Sequence, residues 1–347
     1  MSAAPVNAIT PAGATAWDQL RRQALALAVA AVFLAAVPFT SVSNQLLQTF
    51  TIALLFAIPA SGLGLLYGEA GQMSVANGAL FGVGAYVAAI GAREQAFSIW
   101  FALGLGGAAA AVAAILVGLT ALRVRGHYFL IITFAFAELF RITLVNLRGL
   151  TGGNQGVTVM EPVMLAGVGE IESLREFFFL ALAAAVLAGL VVSALRASAF
   201  GRSLRMLREN ERLAISLGLN AARARLVAFA ISGALAGVGG VLYAYQLKHV
   251  GPESFGAAAG IQIVLILLVG GARSAIGPML GALVFFSLPE LVHIDPVSTQ
   301  IFYGAALIAI VLVSPAGLVP RIADACVGAW RAWRMRKKRS APENIAP

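Results

Sequence analysis

Residues 201–247 read "GRSLRMLRENERLAISLGLNAARARLVAFAISGALAGVGGVLYAYQL". The second part of this stretch, 226–247, carries no charged side chain. The first part crowds Arg202, Arg205, Arg208, Arg212, Arg223 and Arg225 around Glu209 and Glu211. A membrane-spanning helix needs about 20 consecutive apolar residues. The run 226–247 meets that length, and the charges stop where it begins. The stretch therefore reads as a basic loop feeding directly into a membrane span.

The rest of the chain agrees. Its 347 residues are 60% hydrophobic and only 11% charged, whereas soluble domains carry about 25% charged residues. So much apolar surface does not fit inside a water-soluble core, and lipid must be the solvent. The 37 glycines suit membrane helices. A single cysteine, Cys326, excludes an intrachain disulfide and a cysteine-only metal site, and His127, His249 and His293 show no ligand spacing. The net charge of +9 reads as membrane topology rather than nucleic-acid binding, because the basic residues lie between apolar runs.

Runs of spanning length fall near 23–40, 46–67, 98–122, 128–147, 177–195, 226–247 and 299–318. Arg21 and Arg22 before the first run resemble the start of a signal peptide, but the run is long for one and many more follow, so an uncleaved first span is expected. Two regions are less regular. Residues 71–92, "GQMSVANGALFGVGAYVAAIGA", are interrupted by glycine and polar side chains. Residues 260–290 are too long for one span and divide at "GGARSAIGP", residues 270–278. The expected fold is all-α: a polytopic integral membrane protein of about ten transmembrane segments, some of them glycine-broken.

Basic loops are retained in the cytoplasm. With the N-terminus inside, the inner loops hold Arg21, Arg22, Arg123, Arg125, Arg196, the 201–225 island, Arg273 and the tail "RMRKKR"; the outer loops hold only Arg93, Arg148, Arg175 and Lys248. Nine segments would export the basic tail, which is a physical reason to divide 260–290. Both termini are then cytoplasmic. The expected organisation is a tail over 1–22, a membrane domain over 23–320 with its main cytoplasmic loop at 196–225, and a basic cytoplasmic tail over 321–347. A faint echo links "GQMSVANGALFGVGAY" with "ARSAIGPMLGALVFF". Paired glycine-broken segments can mark a transport site, and chance likeness between Gly/Ala-rich helices is the alternative.

The phosphate-cradling pattern G-x-x-x-x-G-K-[ST] does not occur, nor do H-E-x-x-H or G-x-S-x-G. A transporter with this sequence must draw on an ion gradient or on a partner that hydrolyses ATP. A membrane-embedded enzyme would need an acid–base or metal constellation, and none is visible. Within the island, "SLRMLRENERLAISLGL" suits a short amphipathic helix with Leu204, Leu207, Leu213 and Leu217 on its apolar side. Gly218 suits the end of that helix, where a left-handed residue is needed, and Asn220 suits the cap of the next. The island is either a solvated loop that only fixes topology or a docking knob for a cytoplasmic partner.

Two further sets stand out. Gln72, Ser74 and Asn77 are polar groups at membrane depth. They either glue helices together or line a substrate path. Glu138 and Arg141, three residues apart on one helix face, are the only ionisable residues expected inside a span. They are either a structural ion pair or part of the pathway. "LTGGNQG", residues 150–156, is expected as an outward loop suited to meeting a solute-delivering protein.

The chain resembles branched-chain amino acid ABC-transporter permeases of the LivH/LivM type, closer to the LivM branch. The resemblance is carried by "RENERLAISLGLNAARARLVAFAISGALAGVGGVLYA", "YGEAGQMSVANGALFGVGAY", "LRVRGHYFLIITFAFAELFRITLVNLRGLTGGNQGV", "GPESFG", "LLVGGARSAIGPMLGA" and "SPAGL", in that family's order across residues 46–320. Asn77 departs from the His or Gln of many relatives, and Arg273 from the usual small residue. The resemblance implies a bacterial inner-membrane permease subunit with no cofactor of its own. It implies two cytoplasmic ATP-binding subunits, a second, LivH-like permease, an external solute-binding protein, lipid as surroundings and no nucleic acid. It further implies that the island receives the ATPase, with Glu209, Leu217, Gly218 and Asn220 carrying the coupling. Gln72, Ser74, Asn77, Glu138 and Arg141 become substrate-path candidates. Branched-chain or other neutral amino acids are the implied cargo, with urea or short amides as the alternative within the family and an ion-coupled secondary transporter as the alternative outside it.

Overall fold

The structure, a computed structural model, describes residues 16–39, 43–95, 98–124, 126–159, 163–165, 169–171 and 173–292. The expected run 299–318, the tail 321–347 and most of the tail 1–22 lie outside them. Twelve helices are described: α1 Ala16–Ala35, α2 Asn44–Ala70, α3 Asn77–Gln95, α4 Ile99–Ala121, α5 His127–Asn146, α6 Arg148–Thr151, α7 Leu174–Ala197, α8 Ala199–Glu209, α9 Glu211–Ser216, α10 Ala221–Leu247, α11 Ala257–Gly270 and α12 Gly277–Val292. Six of the helical stretches are long and apolar enough to cross a membrane: Asn44–Ala70, Ile99–Ala121, Tyr128–Asn146, Leu174–Ala197, Ala221–Leu247 and Pro252–Gly270. The protein is a helical, multi-pass membrane protein. The shorter α3 and α12 follow turns at 71–76 and 271–276; the second matches the division expected at 270–278, whereas of the irregular stretch 71–92 only its first six residues break, and 77–92 run on as one helix.

α2 and α10 form the centre. α10 packs on α2, α3 and α4; α2 also carries α7, α11 and α12, and α1 leans on α7. Lipid tails are as apolar as leucine, so helices here associate by close packing rather than by escape from water. The α3–α4–α10 junction is built that way. An added Cβ at Gly84 would stand 2.0 Å from the carbonyl oxygen of Gly237, and one at Gly237 2.5 Å from that of Gly106. Bare backbone on three helices thus meets at one point. On α4 the small residues Ala102, Gly106, Ala110 and Ala114 are all buried at four-residue spacing. The opposite faces are oily and open: Leu105, Val112, Leu116 and Leu119 on α4, and Val29, Val32 and Phe33 on α1.

Two results were beyond sequence pattern. The loop after α5 contains β1 (Val157–Thr158), which pairs antiparallel with β4 (His249–Val250) after α10, tying together two connections far apart in sequence. A second pair, β2 (Val163–Leu165) with β3 (Gly169–Ile171), lies within the first loop. Strands of two or three residues are too short to show an alternating pattern.

Candidate functional site

Two places gather the candidate residues: the island end of the bundle and the breaks in mid-bundle.

At the island end the expected single amphipathic helix is two helices. Asn210 divides them. Its backbone is extended, and its Oδ1 accepts the N–H of Leu213 at 3.1 Å, capping α9. Asparagine competes for backbone hydrogen bonds in this way and interrupts helices. The break also separates the leucines. Leu204 and Leu207 on α8 are buried, while Leu213 and Leu217 are more than half exposed and Ile215 is 50% exposed. The four leucines therefore do not share one apolar side. Arg225 grips Glu211 with two hydrogen bonds, 3.1 and 3.0 Å, fastening α9 to the start of α10. Gly218 has φ +89 and ends α9; the N–H of Leu219 reaches back to Ala214 at 3.1 Å. Asn220 Oδ1 accepts the N–H of Arg223 at 3.0 Å and caps α10. Both local readings of Gly218 and Asn220 from sequence hold.

Beside α9 opens a groove of about 520 Å³, lined in part by Leu122, Arg123, Glu211, Ile215, Gly218 and Asn220. Leu217 is the exposed C-cap of α9, and Glu209 is exposed at the end of α8. The four coupling candidates thus follow one another along α8, α9 and the following turn.

The expectation that Glu138 and Arg141 are the only ionisable residues within spans is corrected here. Glu69 sits in the last turn of α2 and Arg196 in the last turn of α7, 5% and 4% exposed. The apolar runs stop at 67 and 195, but the helices continue past them. Glu69 meets Arg205 of α8 at 2.8 Å and Arg196 at 3.5 Å. From sequence, Arg196 and the island arginines read only as topology signals and Glu69 has no reading, since nothing local pairs residue 69 with residues 196 and 205.

In mid-bundle, Gln72, Ser74 and Asn77 come together as sequence grouping suggested, all buried. The segment 71–76 is not helical, and some of its polar groups are met by protein. Thr133 Oγ1 accepts the N–H of Val75 at 3.2 Å, and Asn77 Nδ2 donates to Ser232 Oγ at 2.9 Å. Pro59 and Ser232 flank Asn77, each about eleven residues from the island end of its helix, roughly 16 Å at 1.5 Å per residue. That is close to half of a hydrocarbon core about 30 Å thick. Two oxygens, Gln72 Oε1 and Asn77 Oδ1, are buried without a hydrogen-bond partner.

The start of α3 abuts the start of α11. An added Cβ at Gly78 would lie 2.3 Å from both the Gly256 oxygen and the Gly260 nitrogen. α11 has fourteen residues, about 21 Å of helix, and reaches spanning length only together with the short turn at Pro252–Ser254 before it. The faint sequence echo linked the segment leading into α3 with the one leading into α12; in the structure α3's start packs on α11's. Phe81, Tyr243 and Phe255 close over this contact with ring centroids 5.1 to 6.0 Å apart.

Arg141 forms an ion pair with Glu138 at 2.6 Å and a second one with Glu253 at 3.1 Å. No local pattern singles out Glu253, 112 residues away. Arg141 also flanks Gly256, where an added Cβ would lie 3.1 Å from its own. Arg141 and Gly78 therefore border the same turn from different sides. At the end of α5 and in the turns that follow it, Val145, Arg148, Gly152, Asn154 and Gln155 line a cavity of about 310 Å³.

A family model described as "Branched-chain amino acid transport system / permease component" matches residues 45–313. The chain is 30% identical over 321 residues to the high-affinity branched-chain amino acid transport system permease protein LivM of Escherichia coli (strain K12), covering 86% of this chain and 75% of that protein. It is 28% identical over 299 residues to LivH of the same strain, covering 80% and 95%. It is 26% identical over 314 residues to BraD of Pseudomonas aeruginosa, again covering 80% and 95%. No solved structure matches the chain.

Proposed function

Since the chain belongs to the family of branched-chain amino acid transport-system permease components, we propose that it is the LivM-like membrane half of an ABC importer for branched-chain or other neutral amino acids. It works without an ATPase site of its own. The island end faces the cytoplasm, together with both termini. A second permease of LivH type completes the pathway, two ATP-binding subunits dock below, and an external solute-binding protein delivers cargo.

The observation that carries this reading is the exposed apolar edge of α9. Leu213, Ile215 and Leu217 project from the most basic loop of the chain. The helix beneath them is pinned by Glu211–Arg225 and capped at its start by Asn210. Large apolar side chains on a small, rigid, charged platform suit a protein partner. A helix fixed at both ends to long spans turns a partner's movement into tilting of those spans. Glu209, Leu217, Gly218 and Asn220 are the coupling positions on this platform. Gln72, Ser74 and Asn77 form the mid-membrane part of the solute path, closed in this conformation, and Glu138 and Arg141 shape its outer approach. The cavity beside Arg148 and Gln155 faces outward and suits contact with the delivering protein.

The test is uptake by the reconstituted complex with ATP inside the vesicle and leucine, isoleucine, valine or urea presented on the binding protein. ATP-dependent accumulation of an amino acid is expected. Accumulation by this chain alone on a proton or sodium gradient overturns the reading. Gly218→Arg should insert yet abolish uptake. Gly218→Ala separates backbone strain, about 1–2 kcal/mol for a left-handed residue, from loss of the partner surface.

A further inference from the structure

We infer that Glu69 is the joint that transmits motion of α8 to the membrane helices, a positioning role that rests on the importer reading above. The basis is a cluster joining four elements at the island end. The Glu69 carboxylate, on α2, faces Arg205 Nη1 of α8 at 2.8 Å and Arg196 Nε of α7 at 3.5 Å. Arg196 Nη2 donates to the carbonyl oxygen of Ala272 in the α11–α12 turn at 2.6 Å. Arg205 Nη2 also reaches the Arg196 carbonyl at 3.2 Å, and Arg208 Nη1 bonds the Gly68 carbonyl. That turn lies on bare backbone of α2: an added Cβ at Gly68 would stand 2.7 Å from the Ala272 oxygen.

One carboxylate thus holds two guanidinium groups, one on α8 and one that reaches the turn between two further helices. Glu69 and Arg196 have side chains about one-twentieth exposed, so their pairing is little screened by solvent. Arg196 Nη1 and Nε are both buried without a hydrogen-bond partner, so its contact with Glu69 at 3.5 Å is a pairing of charges and not a hydrogen bond. Burying charges is costly unless they are paired, and a plain membrane anchor needs no such cluster. α8 also seats Leu204 and Leu207 in the interior, so it moves with the bundle instead of sliding over it. Displacement of α8 by a partner on the adjoining α9 therefore reaches α2, α7 and the α11–α12 turn together, through Glu69.

The experiment compares wild type with Glu69→Gln and Arg205→Gln in the full complex, measuring ATP hydrolysis and solute uptake on the same vesicles. Arg205 is more exposed, so its variant spares the Glu69–Arg196 contact and guards against a simple folding failure. The expected result is retained assembly and hydrolysis with uptake per ATP lowered about ten-fold, within the range of coupling between linked sites. Glu69→Asp should recover part of it. An unchanged uptake-to-hydrolysis ratio in both assembled variants overturns the joint. So does a parallel fall of both activities in Arg205→Gln, the mark of a merely structural role. A wild-type complex that transports without ATP overturns the importer reading and the joint with it.

Discussion

Replacing Glu211 with glutamine tests whether α9 is a fixed platform. α9 is six residues long, far below the length at which a helix holds in water by itself. Its attachments are the Asn210 cap, the Gly218 turn and the two hydrogen bonds to Arg225. The Arg225 and Glu211 side chains are 10% and 17% exposed. Breaking a fully buried pair by removing one partner costs about 3–5 kcal/mol, because the other charge is stranded. Partial solvent access and the amide oxygen left by glutamine reduce this to about 2–3 kcal/mol. At about 1.4 kcal/mol per factor of ten, local opening should become about 30- to 150-fold more frequent. Hydrogen exchange of the purified protein in nanodiscs reads this directly. The amides of Leu217, Gly218 and Leu219, which bond to Leu213, Ile215 and Ala214, should exchange faster by that factor, while amides of α4 and mid-α10 do not change. Unaltered exchange at those three amides would refute the idea that the ion pair holds α9. Equal acceleration across α10 would instead show that the pair supports the whole bundle. Replacing both partners, as Glu211→Leu with Arg225→Met, should restore most of the protection, since removing a buried pair together strands no charge.

Gly78→Ala places a methyl 2.3 Å from two backbone atoms of α11 and should lower the thermal midpoint or abolish uptake, whereas Gly104→Ala, with nothing within 4 Å, should leave both unchanged; scanning fluorimetry with an uptake assay distinguishes them. Asn77→Ala removes one 2.9 Å hydrogen bond to Ser232 but also one orphaned oxygen; the net stability loss should be about 1 kcal/mol or less, with uptake reduced far more than such a loss explains. Glu253 is mostly exposed, so Glu253→Gln should cost under about 1 kcal/mol, and Glu138→Gln, which removes the shorter contact at 2.6 Å, should cost more; paired thermal melts in detergent rank the two.

Read alone, the residues specify the class of protein, most of the long spans, an irregular stretch within 71–92, a division at 270–278, and the local chemistry of Gly218 and Asn220. Each is a short-range consequence of composition. A charge-free run of spanning length must sit in lipid, a glycine serves where φ is positive, and an asparagine before a helix caps it. The grouping of Gln72, Ser74 and Asn77 was legible for the same reason, because the three are neighbours in the chain. Packing alone settled which distant groups meet. Glu69 with Arg196 and Arg205, Arg141 with Glu253, and β1 with β4 are pairings across large sequence separations, and no local period encodes them. It also decided that Leu204 and Leu207 turn inward while Leu213 and Leu217 turn outward. An amphipathic pattern records that a residue is apolar; whether it faces the bundle or a free surface depends on where Asn210 breaks the helix and where Glu211 and Arg225 fasten it.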